Sequence, residues 1–373
     1  MNNPWGDFHY VKGAGWQLFW RIPEECGGME LWFGHFNGKR VFWKASQPFA
    51  IVPYHHPLTV WTPPFPPTTV PAPPEFSFKD GLGPQCGGAG YTPLKWWAPN
   101  GWISSVWFAG TDREVVQVEV TPETTFDPAE LTISAKFSAG WYQYVQRWSF
   151  NGYGEIHAEL GMGGRLHPFD SHKAHVHHVY FRLDLGIDWN SKDVFEVFSH
   201  TGFDDAVQGD RWTIQPTQGK HLLDPNTARK FRVRAASQRR GPQTRALPGF
   251  EIEIPAQAPT DTHSTADVWA TVYRGAMAEQ GESVGRANCN DLELEQLATG
   301  PFDITHGSDV VLWVVVRHHH EPRHLAEESS GLPFHYQGFH IRPRGFETFR
   351  SLNDLYPLET DSGTAPAEPR RSP

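Results

Sequence analysis

Histidines recur at alternate positions in two stretches of this chain: His175 and His177 in one, His318 and His320 in the other. In a strand, residues i and i+2 face the same side, so each pair projects its imidazoles together. Two such strands side by side make a site of three or four imidazoles. That donor set suits copper or zinc and suits calcium or magnesium poorly. The bland alternative is a histidine-rich strand surface, or partly buried imidazoles satisfied by hydrogen bonds. Both pairs adjoin apolar strand-like runs, Val179 to Phe181 and Val310 to Val316, and that repetition favours a metal centre.

The elements that must carry these histidines read as strands. Trp16, Leu18 and Trp20 alternate with polar residues, and apolar runs follow at Leu31, Val41 and Phe49 to Tyr54. Val116, Val118 and Val120 alternate, as do Leu131, Ile133 and Ala135. Residues 142–150 and 155–160 flank Asn151-Gly152-Tyr153-Gly154 and predict a hairpin. Further strands are expected over 175–188, 193–199, 229–236, 249–254, 266–274, 309–318 and 335–343. Only 275–281 and 291–298 read as short helical turns. Residues 62–74 are proline-rich and predict an extended loop, and 78–90 predict a flexible glycine loop. Serial strands with almost no helix imply an all-β fold, a large antiparallel β-sandwich. One domain is expected over 1–358, followed by a disordered polar tail at 359–373.

Composition narrows the function classes. The chain has 373 residues and a net charge of -10, which argues against a nucleic-acid partner held by phosphate contacts. Its 16 tryptophans, 35 glycines and 32 prolines fit a turn-rich β protein. Cys26, Cys86 and Cys289 form no Cys-x-x-Cys pair, so neither a disulfide framework nor a cysteine zinc site is implied. No secretion signal and no membrane-spanning run is visible, so a soluble cytoplasmic protein with no membrane partner is the expectation.

Several stretches together resemble the catalytic domain of the quinone-containing, copper-dependent amine oxidases. His175-Val176-His177-His178, running into Arg182-Leu183-Asp184, is similar to that family's His-x-His strand. Asp309 through His320-Glu321-Pro322-Arg323 is similar to the strand carrying its third copper ligand, where the two-residue step to arginine selects His320. Gly338-Phe339 through Gly345-Phe346 resembles the closing segment. The matching stretches run from about residue 16 to about residue 346.

The resemblance implies a large antiparallel sandwich, usually a homodimer, with copper held by His175, His177 and His320. It places Tyr142 at the precursor position of topaquinone, though the flanking residues are Trp141 and Gln143 where the family has Asn and an acid. Tyr54, in an intact Val52-Pro53-Tyr54, would orient the quinone. Asp80, in Phe78-Lys79-Asp80-Gly81, is the nearest candidate for the catalytic base. Asp184 and Asp309 fall at positions of a peripheral calcium site, with Leu185 and Val310 as carbonyl donors and Gly186 where a third carboxylate stands. The implied partners are oxygen and a small-molecule substrate. Trp61, Phe65, Trp96 and Trp97 suggest an aromatic amine. The main alternative is a divergent copper enzyme without topaquinone that tailors a small natural product, and a third is a metal-binding scaffold without catalysis.

Overall fold

A computed structural model of the chain describes residues 8–21, 29–54, 58–60, 68–70, 76–81, 91–93, 116–139, 142–164, 174–187, 193–199, 211–223, 229–235, 248–261, 264–273, 292–299, 308–321 and 334–344. The first strands are β1 (His9–Gly13), β2 (Trp16–Arg21), β3 (Glu30–Phe36) and β4 (Lys39–Tyr54). After them come β5 (Leu58–Val60), β6 (Thr68–Val70), β7 (Phe76–Gly81) and β8 (Tyr91–Pro93). The middle of the chain supplies β9 (Val116–Thr121), β10 (Glu130–Ala139), β11 (Tyr142–Asn151), β12 (Ile156–Gly164) and β13 (His175–Leu185). Then follow β14 (Asp193–Ser199), β15 (Arg211–Ile214), β16 (Gly219–His221), β17 (Lys230–Ala235), β18 (Gly249–Glu253) and β19 (Val268–Val272). One helix, α1 (Leu292–Ala298), precedes β20 (Val310–His320) and β21 (His335–Arg344).

The strands form two large sheets. The first runs β1-β2-β3-β4-β13-β20-β19-β16, with β7 also on β4. The second runs β15-β14-β17-β18-β21-β12-β11-β10-β8, with β9 also on β10. A two-stranded ribbon, β5-β6, stands apart from both. Every pairing described is antiparallel. This is the antiparallel β-sandwich that the sequence implies.

Period-2 alternation builds the core between the sheets. Val179, Phe181 and Leu183 of β13 and Val310, Leu312, Val314 and Val316 of β20 face Tyr144, Trp148 and Phe150 of β11 and Phe339 and Ile341 of β21. The alternate residues of β20, Val311, Trp313 and Val315, join Tyr180, Trp269 and Leu294 of α1 in a smaller cluster on the outer face. A strand covered on both sides reads as a continuous apolar run, which explains Val310 to Val316. At the end of that run Arg317 is anchored on the outer face. Its guanidinium pairs with Asp267, and its nitrogens donate to the carbonyls of Ala258 (2.8 Å) and Ala266 (2.9 Å). The register of the next three residues, His318 to His320, is thereby set.

Tight turns fix the early register. Ala14-Gly15 and Asn37-Gly38 all have positive φ, the backbone of two-residue hairpin turns whose twist matches the strands. Gly338 is required for the approach of β21 to β12, because a Cβ there would lie 2.0 Å from the carbonyl oxygen of Ala158.

The strands expected from alternation are present, and α1 lies within the expected turn at 291–298. Two expectations need correcting: the proline-rich stretch at 62–74, expected as an extended loop, contains β6, which pairs with β5 from Leu58↔Val70 to Val60↔Thr68. The glycine loop over 78–90 begins inside β7, which pairs with β4 from Tyr54↔Phe76 to Phe49↔Gly81. Alternation of Phe76 and Phe78 with Ser77 and Lys79 extends the strand to Gly81, and the glycine-dense run starts only after it. The second helical turn expected, 275–281, and the tail at 359–373 lie outside the described residues.

Candidate metal centre

The sandwich brings the two histidine pairs together on neighbouring central strands. In the β13–β20 register His175 stands opposite His320, and His177 opposite His318. The four imidazoles form a two-by-two plaque on the face that continues Val179 and Phe181, the face turned to the second sheet. His175 Nε2 and His177 Nε2 face each other at 3.0 Å, and His320 Nδ1 lies 3.3 Å from His175 Nε2. The ligand atoms of all three lie within 4.8 Å of one another. For metal–nitrogen bonds of about 2.0–2.1 Å, adjacent ligand nitrogens sit about 2.9 Å apart in a square-planar site and about 3.4 Å apart in a tetrahedral one. Two of the three separations, 3.0 and 3.3 Å, fall close to those values, and a shift of one ring would bring in the third. His175, His177 and His320 are all buried.

Burial favours the neutral form of His177, His318 and His320. His177 is held well below the ordinary histidine value by desolvation and by the charge that His175, His320 and His318 would carry. His320 is pushed down to about 4, again by desolvation first and then by its histidine neighbours. His318 is also lowered, by burial and by His335, against a hydrogen bond to Gln337 that raises it. A neutral imidazole presents a lone pair, which is the form a metal requires. The donor set, its spacing and its protonation state therefore fit a copper or zinc ion.

A tyrosine from the opposite sheet supports the cluster. Tyr144 Oη lies 3.5 Å from His177 Nδ1, with the rings edge-on at 6.1 Å between centroids. With Nε2 turned to the cluster, His177 carries its proton on Nδ1 and donates to the phenol oxygen. A second hydrogen bond of this kind fixes a ligand's tautomer and ring orientation. Tyr144 is fully buried. It is two residues beyond Tyr142 on the same strand, and that i+2 relation is the signal that pairs them.

The other expected site residues are placed by backbone alone. Tyr142 opens β11, opposite Ala139 and Gly164, and its side chain lies outside the described residues. Tyr54 ends β4, three residues beyond Ile51, which stands opposite His178, and His175 is three residues before His178. Asp80 stands opposite Ala50, which in turn stands opposite Val179, two residues from His177. Topology thus gathers Tyr54, Asp80 and Tyr142 around the end of the sandwich that carries the histidines. Trp61, Phe65, Trp96 and Trp97 lie outside the described residues.

The calcium positions read differently. Asp184 is buried, and Arg182 Nη2 lies 3.6 Å from its carboxylate. At Gly186 a Cβ would sit 2.8 Å from Arg40 Cδ, and Arg40 stacks on Trp43 at 3.6 Å. Asp309 is half-buried, and its carbonyl accepts from Tyr273 N at 2.8 Å. Calcium takes six to eight oxygens. A region holding Arg182 and Arg40, with glycine in place of the third carboxylate, does not fit that ion.

No protein-family model matches the chain, and no curated protein matches it by sequence. Solved structures do match. A copper-containing benzylamine oxidase from Hansenula polymorpha superposes with a TM-score of 0.64 at 17% identity, over 91% of this chain and 60% of that one. An amine oxidase from Aspergillus nidulans gives 0.57 at 14% identity, over 90% and 51%. A lysyl oxidase from Pichia pastoris gives 0.53 at 12%, over 90% and 52%. This chain therefore has the β-sandwich fold found in copper amine oxidases, and it spans between about half and three-fifths of the length of these proteins.

Proposed function

We propose that the chain is a copper-dependent oxidoreductase that oxidises a small primary amine, an aromatic one by preference, with molecular oxygen. The observation that carries this reading is the buried cluster of His175, His177 and His320 within a fold shared with copper amine oxidases. The net reaction takes the amine, oxygen and water to an aldehyde, ammonia and hydrogen peroxide. A quinone made from Tyr142 beside copper would supply an electrophilic carbonyl and an electron sink. The remaining work belongs to the protein. His175, His177 and His320 would hold the ion. Tyr144 holds His177. Tyr54 orients the modified ring, and Asp80 accepts the proton from the carbon next to the substrate nitrogen. The apolar interior around Phe181 and Trp148 limits water at the inner side of the site. A homodimer is part of the proposal.

A second reading is a divergent copper enzyme in which Tyr142 stays unmodified. The flanks Trp141 and Gln143 favour it, as does Tyr144, an ordinary tyrosine able to support the metal without conversion. One experiment separates the two. Copper-loaded protein incubated in air is titrated with phenylhydrazine, alongside Tyr142→Phe. The quinone reading expects about one carbonyl adduct per chain in the wild type. It expects neither adduct nor amine turnover in the variant, with copper still bound. A wild type that gives no adduct sinks the quinone and leaves the second reading in place.

A further inference from the structure

Two more imidazoles continue the cluster toward solvent. His318 is the fourth corner of the plaque, with its ring centroid 6.4 Å from that of His177 and 6.3 Å from that of His320. His335 comes from the opposite sheet. It stands opposite Met162, which stands opposite Tyr144, so these three residues form one row on the inner face of the second sheet. That row faces His177 and His318. His335 lies 6.2 Å from His318 and 6.0 Å from His320 between centroids. His318, His320 and His335 are thus nearly equidistant. Exposure grades along the series: His335 is exposed, His318 half-buried, and His320, His175 and His177 buried. The three ligands of the proposed centre do not need His318 or His335, and neither residue is part of the three-histidine cluster.

We propose that His335 and His318 form a loading site for copper, which captures the ion at the rim of the sandwich and passes it to His320, His177 and His175. The proposal rests on the copper reading above. A buried three-imidazole site has a kinetic problem, because a hydrated ion must shed water before any buried ligand can reach it. An exposed imidazole replaces the first water in solvent, and a half-buried one replaces the second. His320 is then reached by exchange between rings about 6 Å apart, a distance that small ring rotations close. Each step exchanges one nitrogen or water for another, and the oxidation state of copper does not change. The gain is one of local concentration: an ion tethered this close to its final ligands is present there at roughly millimolar effective concentration.

The test mixes metal-free protein with copper(II) supplied as its glycine complex at low micromolar free copper. The rise of the ligand-field absorbance is followed, and the end state is read by electron paramagnetic resonance and copper stoichiometry. His335→Ala and His318→Gln should each slow loading by about tenfold at low copper. Both should reach the wild-type stoichiometry and the wild-type resonance spectrum. At millimolar copper, where bulk supply matches the tethered concentration, the variants should load as fast as the wild type. A merely structural role for either residue would not restore the rate in this way. Loading at the wild-type rate in both variants overturns the proposal. So does a changed end-state spectrum in His335→Ala, which would make His335 a ligand of the resident ion. Failure of the copper reading looks different: His177→Gln would then bind copper no less tightly than the wild type.

Discussion

The first sheet buries two dense groups of polar side chains, and they are built on opposite logic. The imidazole plaque sets acceptor lone pairs against one another, His175 against His177 and His320. The other group, at the far side of β4, sets charges against their complements. Glu30 accepts from Lys44 Nζ (2.5 Å), Arg21 Nε (2.7 Å) and Trp32 Nε1 (3.0 Å). The Trp32 ring carries Lys44 at 4.7 Å and Arg21 at 5.4 Å over its face. Burial alone would raise the Glu30 carboxyl, but Lys44 and Arg21 outweigh it and hold the group down at about 2. One cluster is complete as it stands. The other, met from the second sheet by Tyr144 at His177, is the one that we propose an ion completes. A buried polar group whose charges match is architecture, whereas one that gathers like lone-pair donors is a candidate binding site.

Four substitutions or conditions sharpen that contrast. Taking one ligand from the incomplete cluster should have the largest effect. His177→Gln is expected to lower copper affinity by more than a hundredfold, since even residues that only support a ligand cost ten- to a hundredfold. Equilibrium dialysis with metal analysis reads this. Taking the anion from the complete cluster should act on stability instead. Glu30→Gln leaves Lys44 and Arg21 buried without their carboxylate, at a cost of about 3–5 kcal/mol. Denaturant midpoints should show that loss, with copper affinity unchanged. If Glu30→Gln also released copper, the two clusters would be coupled and the contrast would fail.

Acid distinguishes them next. Burial pushes His320 down to about 4 and holds His177 well below its ordinary value, so both rings resist protons that a free histidine accepts near pH 6.5. The unfolded chain therefore binds more protons than the fold across this window. Metal-free protein should be fully stable above about pH 6.5 and lose stability as the pH falls toward about 4. The Glu30 contribution is present above the ordinary carboxylate range and is lost only as the pH falls through about 2. Thermal melts of metal-free protein against pH should thus show the histidine step first. The smallest effect is expected at Tyr144→Phe, which removes the acceptor of the His177 proton and leaves the ring. Copper affinity should fall by about tenfold, with a changed resonance spectrum. An unchanged spectrum would mean that Tyr144 only packs.

The contrast also explains what could be read from the chain beforehand. The histidine pairs were legible because a period of two carries face information directly, and so were the long alternating strands. The buried charges were not. Arg21, Glu30 and Lys44 look like the solvent side of amphipathic strands, and their mutual pairing under the rings of Phe8 and Trp32 becomes visible in the fold. Tyr144 lies two positions from Tyr142 on the same strand, and the family resemblance marks Tyr142 alone. His335 is a single exposed histidine in sequence, and it gains meaning only from its row with Met162 and Tyr144. β7 was masked by the glycines that follow it.

The register of β13 with β20 sets a timetable for biosynthesis. His175 and His320 are directly paired yet separated by 145 positions. A ribosome adding about 5–20 residues each second needs roughly 7–30 s to travel between them. Throughout that interval His175 and His177 are present without His320, and β13 lacks one of its two neighbours. An ion held by all three histidines could be captured in full only after His320 has emerged, so metallation would follow the synthesis of β20 rather than guide that of β13.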